Sequence, residues 1–156
     1  IQGEECRWLM KKFNFTLGTV LSYKNQVLDS LKNEHAKILA RINEQEKVIH
    51  NLEEEYKKCN NDFNQKKMEG ITIIESIGFE AYLRRLEVSI QQEERKLAFI
   101  KVEEENKRNE VVAAKQDTSS LEKLKEKKLE VYHKEEQKAE EAFVEEFVSF
   151  NRIAAK

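Results

Sequence analysis

Proline is absent from this 156-residue chain, and glycine occurs only four times. Without proline, no position forces a helix to break. With so few glycines, there are few places where the backbone can turn at low cost. The two cysteines, Cys6 and Cys59, are too few for a disulfide framework, and a reducing cytoplasm suits them best. Net charge is also nearly absent: 28 basic and 30 acidic residues leave a formal charge of −2. The two signs are interspersed, so no basic stripe forms and nucleic acid is not expected as a partner. No apolar run reaches the roughly 18 residues of a membrane span, so direct membrane insertion is not expected. Ile1–Leu9 has no apolar stretch long enough for a signal peptide. Met10-Lys11-Lys12 reads as a natural start, so residues 1–9 are expected to be upstream or vector-derived.

What remains is charge and helix formers. Charged residues make up 37% of the chain and apolar ones 39%, with Glu, Lys, Gln, Leu and Ala prominent. That profile is the one of a coiled coil or long helix. The apolar share can line a narrow seam but cannot readily fill a thick core. Mixed runs such as Glu53–Lys58 and Glu122–Lys128 read as solvated helix faces.

Alternate steps of four and three residues from Leu17 to Lys66 visit fifteen positions. Eleven of them are apolar or Cys, Tyr or Phe; the misses are Lys24, His35, Gln45 and Lys66. A spacing held that long is the coiled-coil signal. It stops at Met68–Gly78, which holds two of the four glycines and a short β-branched stretch. A second pattern runs from Phe79 through Leu83, Leu86, Ile90, Leu97, Ile100, Val111, Ala114 and Leu121, interrupted at Glu93, Glu104, Lys107 and Thr118. Beyond it, Leu121, Tyr132 and Phe143 are eleven apart, a spacing that leaves the left-handed supercoil.

The expected fold class is therefore all-α, two long helices in an antiparallel coiled-coil hairpin with the second helix longer. The expected domain spans 10–156, with a helix over about 14–68, a connection over about 69–78 and a helix over about 79–155. Ser76 is a candidate N-cap for the second helix. Folding about Ile74 places Leu17 near Val131 and leaves the residues after Tyr132 without a partner in the chain.

Catalytic chemistry has little footing, and neither enzyme activity nor a cofactor is expected. The glycines form no phosphate-binding loop. His35, His50 and His133 make no pair at one-turn spacing that would ligate zinc. His35 and Cys59 fall on the seam, where they read as a register-setting polar residue and a small hydrophobe. Carboxylates are plentiful, but a two-helix rod has no concave apolar pocket to shift their pKa values.

Two surfaces read as docking sites. Near the connection, Val48 and Ile49 lie side by side, followed by Leu52, Tyr56, Cys59 and Phe63, opposite Phe79, Tyr82, Leu83, Leu86 and Ile90. A seam uses only two positions per heptad. The surplus, chiefly Val48 and Tyr82, forms either an external patch or a thicker seam that also packs Ile71–Ile77. The second surface is the acidic amphipathic stretch Glu135–Phe150, with Phe143, Phe147 and Phe150 on the overhang. It docks either a partner or another copy of the chain.

Three stretches carry a family resemblance: Phe13-Asn14-Phe15-Thr16-Leu17 with Val20-Leu21 and Tyr23-Lys24; Glu69-Gly70-Ile71-Thr72 leading into Tyr82–Glu87 and Ile90; and Leu121–Lys128 followed by Glu135–Lys138. Over about residues 10–152 the chain resembles the FliJ proteins of the bacterial flagellar type III export apparatus. It departs from them at Ala139–Phe143 and in its first nine residues. The resemblance implies a cytoplasmic, two-helix stalk similar in shape to the gamma subunit of rotary ATPases, peripheral at the inner face of the cell membrane. Such proteins bind the export ATPase hexamer and the export gate membrane protein, and escort export chaperones. Carried over, the gate-facing surface is Val48, Leu52, Cys59, Tyr82 and Leu86, and the ring-facing end is Phe143, Phe147 and Phe150. Two rivals stand beside this reading: a prefoldin-like holding chaperone, which would add β-strands, and a fragment of a long parallel coiled coil, which the break at Gly70–Gly78 argues against.

Overall fold

A computed structural model describes residues 12–154, with side chains through Phe150. Residues 1–9, Cys6 and the expected helix end at Ala155 lie outside the described residues. The chain forms two helices, α1 (Gly18–Glu69) and α2 (Ile73–Ala154), of 52 and 82 residues. They pack against each other as an all-α hairpin with the second helix longer. The β-branched stretch Ile71–Ile77 forms no strand: Ile71 and Thr72 belong to the connection and residues 73–77 are helical.

The connection is Gly70–Thr72, shorter than the expected 69–78, and local chemistry explains why. Gly70 adopts φ of 101°, the left-handed conformation that glycine takes without a Cβ penalty, directly after the last residue of α1. Thr72, not Ser76, then caps α2. The Glu75 backbone N–H donates to Thr72 Oγ1 at 3.3 Å, and the Thr72 N–H donates back to the Glu75 carboxylate at 3.1 Å. This is a reciprocal capping box. The Thr72 carbonyl accepts the first helical bond, from the Ser76 N–H at 3.0 Å. Ile73–Gly78 is therefore the opening of α2. The fold point moves with it: Lys24 Nζ meets Asp117 at 2.7 Å, whereas folding about Ile74 would have placed it opposite Leu124.

Packing divides the chain into two compact units. In Asp29–Val112, the four-three positions of both helices except Lys66 are buried or half-buried, and Ile38, Ile42 and Ile100 form a cluster with Leu97 packed against it. Several polar misses of one helix find polar partners on the other. His35 Nε2 lies 2.7 Å from Glu104 Oε1. Gln45 Nε2 donates to the Glu93 carboxylate at 2.6 Å and to the Glu93 carbonyl at 3.2 Å. Lys107 Nζ reaches Glu34 at 3.0 Å. Slipping the helices by a heptad would bring His35 to Leu97 or Val111 and Gln45 to Leu86 or Ile100, at the cost of desolvation without a partner. Near the connection, Phe63 and Phe79 stack with centroids 5.1 Å apart. Lys66, a miss on the seam pattern, sits 5.7 Å over the Phe79 ring, and Lys67 Nζ lies 3.7 Å over Phe63.

The other unit holds α1 up to Leu28 with α2 from Ala113. Helix α1 begins at Gly18, four residues later than expected, because Phe13–Phe15 lies on α2 in non-helical form. The Phe13 ring meets Tyr132 at 5.6 Å, and Lys128 Nζ lies 5.9 Å over the buried Phe15. An extended residue advances about 3.3 Å against 1.5 Å in a helix, so this short segment covers α2 as far as Tyr132. Thr118, a polar interruption, is 3% exposed, and its hydroxyl donates to the Ala114 carbonyl at 2.9 Å.

Candidate functional site

Beside the connection, α1 and α2 leave an open groove of about 560 Å³, lined by Glu55, Lys58, Cys59, Asp62, Glu75, Gly78, Phe79 and Tyr82. Seam geometry builds it. Phe79 is held by its stack on Phe63, while Tyr82 sits one heptad position outside the seam. The Tyr82 hydroxyl donates to the Glu55 carboxylate, and the Arg85 guanidinium lies 5.8 Å from its ring. The hydrogen bond to Glu55 raises the Tyr82 phenol above its ordinary pKa. Burial, then the negative charges of Asp62 and Glu55, push the Cys59 thiol up. A thiol held protonated is a poor nucleophile, so Cys59 serves the groove as a small apolar wall.

The structure brings two of the five nominated residues, Cys59 and Tyr82, into this groove. Val48 is 37% exposed and lies seven residues before Glu55 on the same edge of α1, about 10 Å away along the helix. Leu52 is half-buried between them. Leu86 is only 6% exposed, on the seam, and does not line the groove.

Sequence reasoning missed part of this surface. Glu55 and Asp62 repeat Val48's position at seven-residue intervals, a signal that was present. At the hairpin tip, Met68, Ile73, Ile74 and Ile77 are strongly exposed, Ile74 at 83%. The alternative in which this segment thickens the seam does not hold for these isoleucines, because the capping box starts α2 early and turns their side chains outward.

The second surface belongs to the Ala113-onward unit. Phe13, Val131 and Tyr132 line a groove with Lys127, Lys128 and Glu135. Beyond it, residues 137–150 are exposed throughout, with Phe143 at 44%, Phe147 at 57% and Phe150 at 69%. These rings fall on one stripe at four- and three-residue spacing, flanked by Glu140 and Glu146.

Among the described residues no helix is long and apolar enough to cross a membrane, and no three His, Cys, Asp or Glu side chains gather into a metal-binding group. Searches of curated proteins and of solved structures find no match to this chain. The family model described as "Flagellar FliJ protein" matches residues 13–156. It thus spans both helices, the capped connection and the aromatic tail, and the chain belongs to the FliJ family of the flagellar export apparatus.

Proposed function

We propose that this protein is a non-enzymatic coupling element of flagellar type III export, linking the export ATPase ring to the export gate and escorting export chaperones. The observation that carries the reading is the family match over nearly the whole chain. The two exposed apolar surfaces support it, since such surfaces on a helical hairpin need cover. The loop-proximal groove, with Cys59, Tyr82 and the neighbouring Val48 and Leu52, is the gate-facing surface. Phe143, Phe147 and Phe150 face the ATPase hexamer. The protein acts in the cytoplasm, peripheral at the inner face of the cell membrane through its partners.

The experiment uses two variants of the full chain. Phe147→Ala with Phe150→Ala is expected to lower stimulation of the purified export ATPase and to leave helix content unchanged. Tyr82→Ala is expected to weaken pull-down with the cytoplasmic part of the gate. Full stimulation by the first variant sinks the ring assignment, and undiminished pull-down by the second sinks the gate assignment.

A further inference from the structure

The face of α2 turned away from α1 changes character between Arg84 and Ala113, within the Asp29–Val112 unit and its border. Its outward heptad positions carry Val88, Phe99, Val102 and Val112, at 49, 75, 60 and 48% exposure. The only charges among those positions are Arg84, Arg85, Arg95 and Glu105, in a chain where 37% of residues are charged. The corresponding face of α1, from Asp29 to Gln65, carries nothing apolar larger than alanine. Among the described residues, none of the three arginines enters an ion pair; those of this unit run through Lys32, His35, Arg41, Lys57, Lys96, Lys101 and Lys107. Exposed apolar residues scattered singly need no explanation. A valine, a phenylalanine and a valine on one face, edged by arginines outside any ion pair, have the composition of an interface core.

Glu135–Phe150 has the complementary chemistry. It presents Phe143, Phe147 and Phe150 on one stripe, with six glutamates against one lysine. Glu135–Phe150 covers about 22 Å at the helical rise, within the roughly 27 Å of the stretch Arg84–Val102 that carries the arginines and Phe99. We propose that the outward face of α2 around Phe99 is the docking site for the acidic, aromatic tail of a second copy of this chain. The three arginines meet the glutamates of that tail, and Phe99 and Val102 take its phenylalanines. Opposite charge sets the pairing, so the association weakens as salt screens it. The proposal stands apart from the ring assignment, although a tail seated on a second copy is unavailable to any other partner.

Sedimentation velocity on the full chain, over a range of concentrations at low and high salt, tests this. The expected result is concentration-dependent association at low salt, with a dissociation constant at least tenfold higher at high salt. Phe99→Ser should raise the constant at least tenfold, and Phe99→Leu should restore it. Phe99 is exposed, so helix content by circular dichroism should not change. Arg84→Glu with Arg95→Glu should abolish self-association, and mixing that variant with Glu140→Lys with Glu145→Lys should recover it. A chain that stays monomeric throughout overturns the proposal and leaves the face to an acidic helix of another protein. Association that survives Phe99→Ser, or that fails to recover in the charge-swapped mixture, overturns it as well.

Discussion

Replacing Phe63 by alanine is the sharpest test of how the hairpin is held closed. Phe63 is 4% exposed, stacks on Phe79 at 5.1 Å and lies beneath Lys67 Nζ at 3.7 Å. Burying a phenylalanine side chain contributes about 1.5–3 kcal/mol. A well-placed aromatic pair adds roughly 0.5–1.5 kcal/mol beyond that. A two-helix seam opens to water on its flanks, so the void left by truncation fills or collapses and adds little. The expected loss is about 3 kcal/mol, read as a fall in the urea midpoint by far-UV circular dichroism with an unchanged slope. Phe99, the same residue type at 75% exposure, is the internal control, and Phe99→Ala should stay within about 0.5 kcal/mol of the parent. A double-mutant cycle with Phe79→Ala should show a coupling of about 0.5–1.5 kcal/mol. A loss below about 1 kcal/mol for Phe63→Ala, or one equal to that of Phe99→Ala, would refute the reasoning.

Two further predictions concern the start of α2. Thr72→Ala removes the side-chain half of the capping box and should cost about 1 kcal/mol in urea unfolding; no change would mean that Thr72 is not the cap. The hydrogen bonds from Thr72 hold the Glu75 carboxyl below its ordinary pKa. A depressed folded-state pKa stabilises the fold above the unfolded value, and that contribution disappears as pH falls through the folded one. Glu75→Gln should therefore show less stability lost on acidification than the parent, and an identical pH profile would count against the bond. At Gly78 an added Cβ meets nothing within 4 Å, so Gly78→Ala should raise stability by about 0.5–1 kcal/mol through helix propensity. It should also narrow the groove that Gly78 lines, and a destabilised variant would show that the space is not open.

Much of the fold was legible because a coiled coil writes its packing into spacing. The positions at four- and three-residue steps from Leu17 to Phe63 are all buried or half-buried in the structure. The connection was harder to read. Thr72-Ile73-Ile74-Glu75 matches a capping box, but the glycines at 70 and 78 suggested a longer loop, and only the bonds to Thr72 choose between them. The docking surfaces were legible as composition and not as exposure. Tyr82 and Leu86 were both carried over as gate-facing residues, yet they sit four residues apart, one outside the seam and one inside it.

The sequence by itself determined that the chain is helical, that it carries one long seam interrupted near Gly70, and that its tail is acidic and aromatic. These follow from local propensity and from periodicity, which need no knowledge of what lies opposite. The tertiary structure alone decided what lies opposite. It paired His35 with Glu104 and Gln45 with Glu93, so that residues which look like defects in either helix become shared polar layers. It laid Phe13 on Tyr132, and it left Phe99 facing water while burying Phe63. The physical reason is the same in each case: the cost of a polar or aromatic side chain depends on its neighbour across the seam, and that neighbour lies tens of residues away along the chain.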